Sequence, residues 1–178
     1  FLAVEGIEVG AFSKDDIVTA ADDIWFDISS DGSTQDIQAG EQMKLEDLLR
    51  CALIASANEA CNAIASYISG DIQSFVALMN AKAKALGCEG THFANTHGMP
   101  NENHYTTAHD ICTIFAEAYK HSLFREIIGT KSYTVPLTNM HAERTLTNTN
   151  RLISDKYREY YQYCTGGKTG YTDSAGYC

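Results

Sequence analysis

Two clusters of side chains in this 178-residue chain have types and spacing suited to chemistry. The first is Gly166-Gly167-Lys168-Thr169-Gly170-Tyr171-Thr172, near the end of the sequence. It supplies a fixed cation, a hydroxyl able to bind a carboxylate, and glycines that let a ligand come close to the backbone. The second is Ser56-Ala57-Asn58, which pairs a hydroxyl with an amide. The first suits a strand, though K-T-G alone is a short motif; the second falls between two segments of helical periodicity and is equally readable as helix caps. Four histidines, His92, His97, His104 and His109, lie five, seven and five residues apart. That spacing fits no metal-ligand pattern and points to loop packing. Six cysteines at 51, 61, 88, 112, 164 and 178 contain no C-x-x-C. Cys51, Cys61 and Cys112 sit among apolar residues at helical positions and read as small buried hydrophobes. No metal or other cofactor is expected.

The elements that must position these groups follow from periodicity. Residues 1–5 read as the tail of a helix ending near Gly6 or Gly10. Short β-like pieces at 16–19, 24–26 and 35–38, separated by turn formers, suggest a small irregular hairpin. Leu45, Leu48, Leu49, Ala52 and Leu53 recur at helical spacing, with Glu46 and Asp47 in the first turn. Ser56 and Glu59 have the S-x-x-E form of a capping box, predicting a second helix to Ser69 with Gly70 closing it. Asp71 should cap a third helix, ended by Gly87, and Thr107 a fourth. Ser122 should open a short fifth that ends at Gly129. Residues 131–135 and 144–147 alternate like a second hairpin. Four tyrosines between Tyr157 and Tyr163 read as packing against the adjacent sheet. The whole is one compact unit, with a helical core over about 45–130 and a sheet strand carrying K-T-G over 160–178.

Composition narrows the function classes. Apolar residues make up 44% of the chain and charged ones 20%, which is an ordinary globular balance. The net charge of −10 argues against nucleic acid and against an anionic membrane surface as partners. No run of eighteen apolar residues is present.

Taken in order, the motifs resemble those of D-alanyl-D-alanine carboxypeptidases, the low-molecular-weight penicillin-binding proteins of serine peptidase family S11. Ser56-Ala57-Asn58 followed by Lys168-Thr169-Gly170 is the S-x-N plus K-T-G pair of penicillin-recognising serine enzymes. Residues 48–60 resemble the family's "LL…ASANDA" run, 92–100 its "F-x-N-x-H-G-L" loop, and 104–110 its "H-Y-S-T-A-x-D" helix start. Asn148-Thr149-Asn150-Arg151-Leu152 resembles "N-T-N-K-L", and the likeness spans residues 1 to 178.

That resemblance implies an α+β, β-lactamase/transpeptidase-like fold, of which this chain holds mainly the helical subdomain plus the K-T-G strand of the antiparallel sheet. It implies an acyl-transfer reaction on a peptidoglycan stem peptide ending in D-Ala-D-Ala, inhibited by β-lactams, outside the cytoplasmic membrane. Ser56, Asn58 and Lys168 would be catalytic. Thr169, Gly170 and Tyr171 would bind substrate, with the Tyr171 N–H forming half an oxyanion hole. One departure matters: no serine here has lysine three residues on, and Thr165 before Lys168 belongs to the K-T-G segment. The family's S-x-x-K, bearing nucleophile and base, is therefore expected upstream of residue 1, and this chain alone is expected to be inert. A class A β-lactamase shares both motifs, but no E-x-x-L-N-like loop lies between Ser122 and Lys168. A non-catalytic relative that binds peptidoglycan or β-lactams without turnover is the alternative.

Overall fold

The computed structural model describes residues 1–178. Two consecutive helices form its centre, α2 (Leu45–Ile54) and α3 (Asn58–Ser69). Leu45, Leu48, Cys51 and Ile54 on α2 and Ala60, Ala63 and Ile64 on α3 are buried together. The small α3 side chains let the two axes approach closely. Around this pair lie α1 (Leu2–Glu8), α4 (Ile72–Ala85), α5 (Ala108–Ala118) and α6 (Ser122–Gly129). Asp71 and Thr107 cap α4 and α5 as expected, accepting from the N–H groups of Ser74 and Asp110. Gly70 closes α3 at φ +81°.

Three two-stranded antiparallel ladders flank the helices. β3 (Ser132–Val135) pairs with β4 (Arg144–Thr147), as their alternation predicts. The first ladder departs from expectation: β1 (Ile17–Thr19) pairs with β2 (Gln42–Lys44), and residues 24–26 and 35–38 form no strand. Ile24 and Ile37 are instead fully buried, so packing of single side chains, not strand pairing, gave those pieces their apolar pattern. The third ladder joins β5 (Tyr171–Thr172) to β6 (Gly176–Tyr177). Its strand starts after K-T-G, so Lys168 and Thr169 lie in non-ladder chain leading into it. Between β4 and that ladder runs a single 3-10 turn, Arg151–Ile153.

Charged contacts fix the hairpin β3–β4 to the helices. Tyr133 Oη donates to Asp47 Oδ1 at 2.8 Å, and the Arg50 guanidinium lies 4.5 Å from the Tyr133 ring centre. Arg50 also pairs with Glu46 and Glu126, each at 2.6 Å. At the far end, fully buried Glu41 accepts from Arg144, Thr138 and His141. All six cysteines are free thiols; of the three expected to be buried, Cys51 is buried, Cys61 is half-buried and Cys112 is exposed, while Cys88 is also buried. Cys112 faces water because its position on α5 lies on the side away from the core. No helix is long and apolar enough to cross a membrane.

Candidate active site

The S-x-N segment occupies the sharp corner between α2 and α3. Ala55 ends α2, and Ser56 then takes φ +61°, a left-handed conformation that costs a non-glycine residue roughly 1 kcal/mol. The Ser56–Glu59 capping box does not form. The N-cap is Ala57, with no side-chain cap, and both predicted partners point elsewhere. Ser56 turns its hydroxyl outward to Lys168. Glu59 turns inward, where its fully buried carboxylate accepts from Thr34 Oγ1 (2.9 Å) and the N–H groups of Gln35 (2.7 Å) and Ile37 (3.4 Å).

Glu59 thereby pins the 32–37 loop against the corner. Ser33 C=O accepts the Asn58 N–H at 3.0 Å. Gly32 sits so close that a Cβ there would come within 2.8 Å of Asn58 Nδ2. On its other side Asn58 faces the 92–99 loop, with Met99 Sδ 3.8 Å from its amide nitrogen. That loop is braced internally by Asn95, which accepts from the Gly98 N–H and donates to Met99 C=O. The Asn58 amide is thus oriented while its donors meet only a thioether, a weak acceptor.

The K-T-G segment arrives from the opposite direction. Gly166, at φ +149°, lies against Ile128 with no room for a side chain: a Cβ would stand 2.8 Å from Ile128 Cγ1. Tyr119 and Thr165 share a hydroxyl contact at 2.8 Å. So seated on the end of α6, the chain delivers Lys168 to the corner. Its Nζ donates to Ser56 Oγ at 2.9 Å and to Thr169 C=O at 2.6 Å. Burial pushes the Lys168 ammonium below the usual lysine range, with the nearby Cys61 thiol opposing. Burial likewise pushes Cys61 up to about 11.

Thr169 Oγ1 meets Thr149 Oγ1 at 2.6 Å. Thr149 is held by its N–H to Ile54 C=O (3.1 Å) and flanked by two buried asparagines. Asn148 donates to Ile128 and Thr130 carbonyls; Asn150 accepts the Leu152 N–H. Gly170 and Cys178 exchange both backbone hydrogen bonds (3.0 and 2.9 Å). Antiparallel pairs alternate, so the Tyr171 N–H is turned away from β6 and left available to a ligand.

Of the six residues singled out in the sequence, Ser56 and Lys168 are in direct contact. Asn58 shares their corner, and Thr169, Gly170 and Tyr171 continue from it along one extended segment. Sequence reasoning missed Glu59, taken for a cap, and the role of Thr149. The signal for Thr149 was its place inside N-T-N; the signal for Glu59 was a carboxylate followed by the apolar run Ala60 to Ile64, on a face that must be buried. The tyrosines also differ from expectation. Tyr160, Tyr161 and Tyr163 are 45, 55 and 71% exposed, and only Tyr157 of the four is half-buried.

Comparison with known proteins identifies the family. The S11 peptidase family model, described as D-alanyl-D-alanine carboxypeptidase, matches residues 1–178. The chain belongs to that family. It is 35% identical to the D-alanyl-D-alanine carboxypeptidase DacF of Bacillus subtilis, over 99% of this chain and 43% of that protein. With DacA of Escherichia coli K12 it shares 31% identity, over 97% of this chain and 41% of the relative. The fold superimposes on the Streptomyces K15 DD-transpeptidase with a TM-score of 0.85 at 26% identity, covering 99% of this chain and 70% of that one. Penicillin-binding protein 6B of Escherichia coli gives 0.82 at 30% identity, covering 99% and 54%. The chain therefore has the transpeptidase-like fold, and it spans less than half the length of these curated relatives.

Proposed function

We propose that these residues form the leaving-group and carboxylate-binding side of a serine D-Ala-D-Ala carboxypeptidase that trims peptidoglycan stem peptides in the cell envelope and is acylated by β-lactams. The observation that carries this reading is the 2.9 Å contact between Lys168 Nζ and Ser56 Oγ at the α2–α3 corner. The nucleophile and its lysine base belong to an S-x-x-K element outside the 178 residues. An apolar groove lined by Leu53, Cys61, Ile64, Phe75, Met79 and Phe93 opens beside Phe1, a surface of the kind a further helix covers. The 178 residues are one part of the catalytic domain, with α2 to α6 as its helical core and residues 160–178 as the K-T-G edge of its sheet.

In the proposed reaction the nucleophilic serine adds to the carbonyl between the two D-alanines and gives its proton to the neutral base lysine. The Tyr171 N–H stabilises the oxyanion. The C–N bond then breaks as the protonated base lysine returns its proton, relayed through Ser56, to the departing amine. Water hydrolyses the acyl-enzyme and regenerates the serine. Lys168 supplies positive potential that favours the neutral form of the base. Asn58 aligns the substrate amide, and Thr169, backed by Thr149, binds the terminal carboxylate.

Intact mass after incubation with a penicillin tests this on the 178-residue chain and on the full-length protein. A single adduct on the full-length protein, mapped to an S-x-x-K serine, is expected. An adduct on the 178-residue chain, or none on either while the protein is folded, would refute it.

A further inference from the structure

The exposed tyrosines are not used by this reaction, and their placement is regular. Residues 154–164 fold back on themselves through four backbone hydrogen bonds. Tyr157 donates to Ser154, Tyr160 to Tyr157, Tyr161 to Leu152 and Cys164 to Tyr161, at 2.9–3.2 Å. Ile153 and Ser154 are buried and anchor this fold to the body. The outer surface is a ledge of rings. Tyr161 and Tyr163 pack edge to face at 5.5 Å, Arg151 lies 5.5 Å from the Tyr157 ring centre, and Lys131 lies 5.9 Å from that of Tyr160.

Rings held in this way are already ordered, so binding on them costs little side-chain entropy. Contiguous exposed aromatics mark interaction surfaces. The ledge is also continuous in sequence with the site at both ends. Arg151 is two residues from Thr149, whose hydroxyl meets Thr169, and Tyr163 is five residues from Lys168.

We propose that this ledge is a secondary binding surface for a polysaccharide strand, the glycan to which the stem peptide is attached. The inference rests on the function proposed above. A pyranose ring offers a C–H face to an aromatic ring and a rim of hydroxyl and acyl-amino groups to tyrosine hydroxyls and guanidinium donors. The ledge has this mixture. A lipid surface would call for inserted Trp, Phe or Leu and a clear excess of cations. Here Leu152 is the one exposed aliphatic residue of the segment, and 151–163 holds three cations against two anions in a chain of net −10. A second contact on the same polymer makes peptide capture partly intramolecular. That raises the apparent affinity for wall-attached peptide and leaves free peptide unaffected.

The test uses the full-length protein and its Tyr160→Ala/Tyr161→Ala/Tyr163→Ala variant. Probes are insoluble peptidoglycan stripped of stem peptides by an amidase, and vesicles of anionic phospholipid. The expected result is co-sedimentation of the wild type with the peptide-free glycan, weakened at least about tenfold in the variant, a modest part of the avidity a second contact can give. Tyr163→Ala alone should show a smaller loss. Penicillin acylation and turnover of a free pentapeptide should stay within about twofold in both, which also shows that the variants fold. Equal retention of wild type and variant, no retention of the wild type, or retention by vesicles instead of glycan would each overturn the proposal. Tyrosine-dependent glycan binding by a protein that penicillin does not acylate would sink the carboxypeptidase reading and leave the ledge standing.

Discussion

Glu59→Ala should be among the most damaging single substitutions in this chain. The Glu59 carboxylate is fully buried, and it is the acceptor for one hydroxyl and two backbone N–H groups of the 34–37 loop. Removing it leaves those donors without their charged acceptor, the Ile37 N–H in a fully buried position. Hydrogen bonds to charged groups contribute about 1.5–3 kcal/mol each. The contacts at 2.7 and 2.9 Å count fully and the one at 3.4 Å little, so the expected loss is about 3–6 kcal/mol. Glu59→Gln keeps an acceptor in the same place but puts a donor where Glu59 Oε2 now has no partner. Its cost should be about 1–2 kcal/mol. Urea unfolding at neutral pH measures both, with the shift in midpoint at unchanged m-value giving the difference. Because Ser33 on the same loop holds the Asn58 N–H, Glu59→Ala should also slow β-lactam acylation of the full-length protein beyond the effect of its lower stability. A Glu59→Ala loss under about 1 kcal/mol, or a Gln variant as unstable as the Ala variant, would refute this account of the loop.

Ser56→Gly should be about 1 kcal/mol more stable than Ser56→Ala, reversing the usual preference for alanine, because only glycine takes φ +61° without strain; thermal unfolding of the pair decides it. Lys168→Ala should lower β-lactam acylation of the full-length protein about 10²-fold, the loss typical of removing one preorganised electrostatic group, with little change in unfolding midpoint. Burial and the hydrogen bond to Asp47 hold the Tyr133 phenol up to about 12. The unfolded chain releases that proton near 10 while the folded one keeps it, so stability should fall as pH rises from about 10 to about 12. In Tyr133→Phe that segment of the pH profile should flatten. At pH 8 a maleimide should label exposed Cys112 and Cys178 well before Cys61, whose thiol is pushed up to about 11; mass mapping of partial labelling reads the order.

Helices and caps were legible because their determinants are local. Asp71, Thr107 and Gly70 act within one turn of their own position, and the α2 stripe needs only its own spacing. The β3–β4 hairpin was legible for the same reason. What failed depends on partners distant in sequence. Ser56-x-x-Glu59 satisfies the local rule for a capping box, yet Lys168, 112 residues away, takes the serine, and the 34–37 loop takes the glutamate. Strand β2 was invisible because its three residues continue directly into α2, and only β1 gives them a reason to be extended. The tyrosines were misread since an aromatic run has one pattern whether it packs or projects.

The site follows the same division. Its residue types were readable from motif order, but its geometry arises from a competition that no motif contains. A cap at Ser56 would have supplied one hydrogen bond to α3 and left the hydroxyl pointing along the helix. The observed corner forgoes that bond and accepts a strained φ, and the helix start is held by the Ser33 carbonyl instead. The strain is offset by the contacts of Glu59 to the inner loop, and Lys168 orients the hydroxyl. Consequently the position of Ser56 Oγ is set jointly by the 32–37 loop and by the packing of Gly166 on Ile128. Enlarging Gly166 should therefore disturb Ser56 as much as Lys168, although the two motifs stand more than a hundred residues apart.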